Sequence, residues 1–309
     1  MFKKILSPLH PHDVAVVSFA VFLSLLNLIF QASIPPWDVL ILVNGLVSLG
    51  IIALAYFDER RPGLFLRFVH LWYLAPLIFL TFKELYLMIS PIHGRDYDDL
   101  LIAADRWLFG VDPTVWLAQF AHPALTEVLQ IAYASFYFLF LLAGYELYRK
   151  KDIPTYTLFA FFVVYGFYLS YIGYLFFPAV GPRFTLHNFD TLNEELPGLL
   201  LTNVLRDFVN LGESIPLDVP HPIAFAQRDA FPSGHAMMML VLMYFTARYQ
   251  MKTSIFVFIM GTLLIIGTMY LRYHYLIDLI AGILFAILCI WTAPMLYEQW
   301  QRLRLKLRG

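Results

Sequence analysis

The chain has 309 residues, of which 60% are hydrophobic and only 14% charged, whereas an ordinary soluble domain carries about a quarter charged residues. Lipid is therefore the expected solvent, and a formal net charge of -1 argues against a nucleic-acid partner. Cys289 is the single cysteine and lies inside an apolar run, which excludes a disulfide scaffold and reads as packing.

A helix needs about 20 apolar residues to cross the hydrocarbon. Eight segments meet that need in chain order: 14–30, 39–57, 68–90, 128–147, 157–177, 235–249, 254–273 and 277–297. The first follows Lys3 and Lys4 without a small-x-small cleavage signal and reads as an uncleaved span. The expected fold class is all-α, a polytopic transmembrane helical bundle of about eight spans. Basic residues collect in cytoplasmic loops, and here they fall in alternate gaps: Lys3 and Lys4; Arg60, Arg61 and Arg67; Arg149, Lys150 and Lys151; Arg248 and Lys252; Arg302, Arg304, Lys306 and Arg308. That is 14 of the 21 Lys and Arg, all on one side if both termini are cytoplasmic. The long gaps 91–127 and 178–234, with the short turn near His274, then face outward.

The gap 91–127 is acidic at Asp96, Asp98 and Asp99 and continues as LLIAADRWLFGVDP, an amphipathic stretch expected to lie in the interface with Trp107 and Trp116 as anchors. The gap 178–234 contains seven prolines, too many for a continuous helix, and is long enough to shape a substrate pocket. Histidines near span ends, namely His10, His12, His70, His93, His122 and His187, read as interfacial residues.

Three polar clusters fall on the expected outer face. FPAVGPRF closes the fifth span with Arg183. FPSGHAMMML is a Pro/Gly turn running into an apolar helix; the amides of a helix start suit a phosphate, which marks Ser233, Gly234 and His235. YLRYHYLIDLIAG sets His274 and Asp278 four apart, on one face if helical, where a carboxylate fixes the tautomer of an imidazole. His235 and His274 are 39 residues apart, about two crossings and a turn, so both emerge on the same side. Only about a dozen residues separate His235 from Arg248, roughly 18 Å of helix against a core of about 30 Å. The PSGH turn is thus expected below the outer surface, within lateral reach of a lipid headgroup.

At these residues the chain resembles the type 2 phosphatidic acid phosphatase superfamily, whose pattern is an Arg-bearing first motif, PSGH, and a third motif with His followed four residues on by Asp. The likeness covers residues 68–297. It implies a six-span catalytic core at 68–309 with two accessory spans at 1–67. Within the superfamily the chain is most similar to the inositol phosphorylceramide synthase branch, through GPR, DRWLFGVDP and RYHYLID. Typical phosphatases of the superfamily have Lys and then Arg-Pro in the first motif and an Arg six residues before the third-motif His. Here Thr268 holds that last place, and Arg272 stands two before His274.

The resemblance implies that His274 is the nucleophile, Asp278 its orienting carboxylate and His235 the acid and base. It also implies that Arg183, Arg272 and the Ser233 and Gly234 amides hold the phosphate. It implies no cofactor and no metal, in keeping with the absence of a carboxylate cluster at the motifs. Lys83, with Glu84, lies inside the third span, and Arg228 and Asp229 precede PSGH; each reads either as a headgroup contact or as an ion pair. The partners implied are membrane lipid substrates; no motif marks a protein partner. The expected activity is lipid phosphotransfer, of a phosphoryl or phospho-alcohol headgroup such as phosphoinositol, at a periplasmic, luminal or extracellular face. The same site with water as acceptor is a lipid phosphate phosphatase. A transporter or receptor is the reading from another class, although transporters place their polar groups near the bilayer midplane.

Overall fold

The computed structural model describes residues 2–61 and 63–308, and these form helices and connecting loops without a strand. The side chain of Lys4, counted above with the basic blocks, lies outside the described residues. Five stretches are long and apolar enough to cross a membrane: Pro11–Ile29, Trp37–Arg60, Leu64–His93, Ile153–Phe176 and Leu276–Arg308. The pair Pro123–Ala134 and Phe136–Arg149 makes a sixth if taken as one bent span. The other two expected segments are shorter helices, Gly234–Arg248 of 15 residues and Ser254–Tyr270 of 17. Each of the eight expected segments thus coincides with a helix or a broken helix in an all-α fold.

Two of the eight are interrupted. The third divides into Leu64–Trp72 and Leu74–His93 because Pro76 has no N–H to return to the Trp72 carbonyl. The fourth bends by 51° at Ser135. The Ser135 hydroxyl donates to the Ala132 carbonyl at 2.7 Å, a local bond that competes with the helical ladder.

The chain divides into two compact units, residues 1–92, 147–168 and 288–309 in one, residues 93–146 and 169–287 in the other. In the first unit, Glu84 accepts from Asn27 Nδ2 at 3.2 Å and Asn44 Nδ2 at 2.7 Å. One carboxylate so ties together Pro11–Ile29, Trp37–Arg60 and Leu74–His93, the use expected of polar groups inside apolar helices. The opposite face of Trp37–Arg60 leaves Leu42, Leu46 and Leu49 60% or more exposed, a surface suited to lipid rather than water. Cys289 is fully buried.

In the second unit, the proline-rich gap 178–234 is ordered by a buried anion. Glu127, on Pro123–Ala134, accepts from the N–H groups of Leu199, Leu200, Leu201 and Thr202 at 2.6 to 3.2 Å and from the Thr202 hydroxyl at 2.6 Å. Charge-assisted bonds of this kind are about twice as strong as neutral ones. They start the helix Thr202–Gly212, which packs inside out: Thr202, Arg206 and Asn210 are buried, whereas Val204, Phe208 and Leu211 are exposed. A polar inner face and an apolar outer face are what a helix needs to line a polar site while touching lipid.

Candidate active site

The three clusters, far apart in sequence, are joined pairwise by main-chain hydrogen bonds. Ala230 N–H donates to the Ala179 carbonyl at 3.1 Å, Arg183 N–H to the Arg272 carbonyl at 3.0 Å, and Ser233 N–H to the Asp278 carbonyl at 2.9 Å. Glycine makes the second approach feasible. Gly181 has φ +92°, and a Cβ there would stand 2.6 Å from the Tyr273 carbonyl oxygen. Gly181→Ala therefore meets both left-handed backbone strain of about 1–3 kcal/mol and a main-chain collision. It is expected to lower the melting temperature and to reduce kcat/KM by about 100-fold, the order that a 1 Å displacement of a positioning element brings; a thermal melt and initial rates check both.

Two aspartates hold this arrangement from below. Asp98 accepts from Val180 N–H at 3.0 Å, Gly181 N–H at 2.8 Å and the Tyr275 hydroxyl at 2.7 Å. Asp105 accepts from Leu276 N–H at 2.9 Å and Ile277 N–H at 2.7 Å, capping the start of Leu276–Arg308. Burial raises both carboxyls above their usual range, and these donors offset only part of that. The helix Asp98–Phe109 keeps Trp107 84% exposed, as an interfacial helix should, but its buried face of Asp98, Leu101, Ile102 and Asp105 serves the site. Sequence reading missed that role, although Asp98 and Asp105 are seven apart and so share a helix face. Asp98→Asn turns an acceptor into an amide facing donors. It is expected to cost about 1–3 kcal/mol, seen as a lower melting temperature.

His274 sits in the turn between Ser254–Tyr270 and Leu276–Arg308. The Thr268 carbonyl accepts from the N–H groups of Tyr273 at 2.9 Å and His274 at 3.0 Å, so Thr268 shapes the turn through its backbone. The His274 Nδ1 meets the Ala230 carbonyl at 2.8 Å. A carbonyl only accepts, so Nδ1 carries the proton and Nε2 keeps its lone pair. Asp278 was expected to fix this tautomer. Its Oδ2 lies 3.5 Å from Nδ1 and accepts instead from Tyr275 N–H at 2.8 Å, so the main chain sets the tautomer and Asp278 braces the turn that carries His274.

His235 stands at the start of Gly234–Arg248 with its ring 5.7 Å from that of His274, stacked on Tyr133 at 4.6 Å and against Phe136 at 4.4 Å. Ser233 caps the helix by accepting from Ala236 N–H at 3.2 Å, and its own N–H is taken by Asp278. The Gly234 backbone lies against the Tyr174 hydroxyl, which a Cβ there would meet at 2.1 Å. The Ser233 amide expected to meet a phosphate thus already has an internal partner. Gly282 lets the third-motif helix approach this turn: a Cβ there would stand 2.8 Å from the Ser233 carbonyl.

Arginines line the same unit. Arg183 is buried, donates to Asn210 Oδ1 at 3.1 Å and pairs with Glu213; its guanidinium lies 4.7 Å from the centre of the Tyr273 ring. Arg272, in a left-handed conformation with φ +68°, pairs with Glu195 at 2.5 Å. Both keep a buried Nε without a partner, and so does Asp278 at Oδ1. Buried donors of that kind are uncommon in proteins and suit the oxygens of a phosphate. Burial together with the Glu213 charge pushes Asp229 up to about 7. Burial lowers His274, Asp229 opposing, so at neutral pH the imidazole is in its nucleophilic neutral form. Asn210 and Glu213 carry no motif, and only the fold shows their role.

The remaining expected site residues fall elsewhere. Arg228 pairs with Asp96 at 3.2 Å and reaches the Ala226 carbonyl at 2.5 Å, the ion-pair reading with a more distant partner than Asp229. Lys83 belongs to the first unit, over the ring of Phe79 at 5.2 Å, whereas the motif residues all belong to the second.

The model of the PAP2 superfamily matches residues 99–292. The chain belongs to the PAP2 superfamily. No curated protein and no solved structure matches it. Members of the PAP2 superfamily are phosphatases or phosphotransferases, and the matched stretch contains all three clusters and Asp105, with Asp98 just before its start. For this PAP2 chain the multi-span helices and the family together describe a membrane-embedded lipid-modifying enzyme.

Proposed function

We propose that the protein is a lipid phosphotransferase that moves a phosphoryl or phospho-alcohol group between lipids through a phosphohistidine on His274. The single observation that carries this is the His274 contact at 2.8 Å from Nδ1 to the Ala230 carbonyl, which leaves Nε2 as the nucleophile. Nε2 attacks phosphorus, the bond to the leaving oxygen breaks, and His235, which takes up a proton when the anionic phosphate binds beside it, gives that oxygen its proton. The acceptor hydroxyl then loses its proton to His235, its oxygen attacks phosphorus, and the P–N bond breaks. Arg183 and Arg272 hold the non-bridging oxygens, exchanging Glu213 and Glu195 for phosphate as negative charge builds. Asp278, through the Tyr275 N–H, braces the turn that carries the phosphorylated ring. These steps use no metal.

The apolar outer face of Thr202–Gly212, with Phe208 65% exposed above a polar inner face, supports a lipid substrate rather than a soluble phosphate. The pattern GPR, DRWLFGVDP and RYHYLID supports the inositol phosphorylceramide synthase-like branch and hence a phosphoinositol headgroup. The alternation of basic blocks supports cytoplasmic termini with the motifs on the outer face. The spacing of the apolar segments around the motifs supports a six-span catalytic core at 68–309, with 1–67 as accessory spans. The phosphatase reading keeps every residue in the same role with water as acceptor.

The test is incubation of purified protein with labelled phospholipids, with and without ceramide or diacylglycerol, and resolution of the products by mass. A new phospholipid that depends on the acceptor is the expected result. Release of inorganic phosphate alone, unaffected by acceptor, would replace transferase by phosphatase.

A further inference from the structure

The first unit contains a second polar cluster. His10, His12 and His70 were expected at an interface, yet His12 is fully buried and His70 is 2% exposed, with Asp13 fully buried between them. His12 Nε2 is 3.5 Å from Asp13 Oδ1, and His70 Nε2 is 3.1 Å from Asp13 Oδ2. The three possible ligand atoms all lie within 4.8 Å of one another. The carboxylate is further fixed by the Tyr73 hydroxyl at 2.7 Å and the His10 N–H at 2.7 Å.

One feature is unexplained by hydrogen bonding, and a second is suited to a cation. First, neither ring nitrogen of His12 has a hydrogen-bond partner; the Thr157 backbone lies nearby without the required geometry. An orphaned buried polar group costs about 1–3 kcal/mol. Second, His70 stands between two carboxylates, Nδ1 at 2.9 Å from Asp58 and Nε2 at 3.1 Å from Asp13. A neutral imidazole donates through one nitrogen only. Without an ion, His70 must be an imidazolium that donates to both carboxylates; with Nδ1–H on Asp58 alone, a cation bound to the Nε2 lone pair takes the place of that second proton.

We propose that His12 Nε2, His70 Nε2 and the Asp13 carboxylate bind a divalent transition-metal ion of the zinc class. Nitrogen and oxygen donors suit Zn²⁺, whose bonds of about 2.0–2.1 Å place neighbouring ligand atoms about 3.3 Å apart in a tetrahedron. Asp13 turns one oxygen to each ring, Oδ2 at 3.1 Å from His70 Nε2 and Oδ1 at 3.5 Å from His12 Nε2, and with one ligand atom per residue the set lies within 4.8 Å, so a small inward shift of the rings closes it on an ion. Asp58 on the far nitrogen of His70 is the outer carboxylate that metal-bound histidines characteristically carry, and it selects the tautomer that presents Nε2. A dication balances the charges of Asp13 and Asp58, while Arg304, 3.2 Å from His10 Nδ1 and bonded to the Ser7 and Pro8 carbonyls, keeps His10 turned to the chain start. The ion ties Pro11–Ile29 to Leu64–Trp72 directly and to Trp37–Arg60 through Asp58. It lies among residues that the proposed phosphoryl transfer does not use.

The experiment titrates chelator-stripped full-length protein in detergent with Co²⁺ alone, reading the visible absorption of four-coordinate cobalt, and then adds Zn²⁺ as competitor. About one ion per chain is expected, displaced by zinc, with a rise in melting temperature. His12→Asn and Asp13→Asn are expected to lose the band, and His221→Asn, at an exposed loop histidine, to keep it. X-ray absorption of the wild-type cobalt protein is expected to show a first shell containing imidazole nitrogen, a readout independent of whether the variants fold. No cobalt band in the wild type, a band retained by both site variants, or a shell of oxygen alone would overturn the assignment.

Discussion

His274→Ala is expected to lower kcat by about 10,000-fold or more, the scale of losing a covalent nucleophile, which is about 5.5 kcal/mol of barrier. The argument is local. The imidazole is aimed by the Ala230 carbonyl at one nitrogen, so Nε2 is the nitrogen left for an incoming phosphorus, and the two hydroxyls of the turn 271–275 belong to the buried phenols Tyr273 and Tyr275. Alanine removes the nucleophile and also leaves the Ala230 carbonyl without its donor, a loss of about 1–3 kcal/mol in stability. The melting temperature of the variant must therefore be measured beside its rate. A folded His274→Ala protein that turns over lipid at the wild-type rate would remove His274 from the chemistry.

His235→Asn is expected to lower kcat by about 100- to 10,000-fold, the range for a positioned acid or base. Its ring is held by Tyr133 and Phe136 with its centre 5.7 Å from that of the His274 ring, so both imidazoles belong to one site. The two histidines are then told apart by the leaving group. A nitrophenyl ester departs without a proton, so it should restore much of the first step to His235→Asn and nothing to His274→Ala. Equal rescue of both, or of neither, would mean that the acid and nucleophile roles are misassigned.

Much of the fold is legible in the sequence because lipid leaves a helix few alternatives: a long apolar run must satisfy its own backbone. The interruptions follow from details of less range, the missing N–H of Pro76 and the Ser135 hydroxyl on the Ala132 carbonyl. The site is legible where side chains carry it, since Arg183, His235 and His274 occur in order with a spacing that returns both histidines to one side. It is not legible where the main chain carries it. The acceptor of the His274 proton is a carbonyl 44 residues away, which any residue type at 230 would provide. The amide of Ser233, expected to meet phosphate, is taken by the Asp278 carbonyl for the same reason. Asp98 and Asp105 lay within reach of helical spacing, but the partners that give them meaning, Val180, Gly181, Leu276 and Ile277, are again backbone groups. His12 and His70, 58 residues apart, look like span-end histidines until folding brings Asp13 between them.

The central claim is tested most directly by trapping the intermediate. Wild-type protein is mixed with labelled donor lipid in the absence of acceptor, quenched in alkali, which preserves phosphohistidine, and digested for mass mapping. The account predicts a phosphoryl or phospho-alcohol adduct on His274 that disappears when a hydroxyl-bearing lipid is added, as the new phospholipid forms. Turnover that proceeds with no adduct on His274, or with the label on another residue, would contradict it.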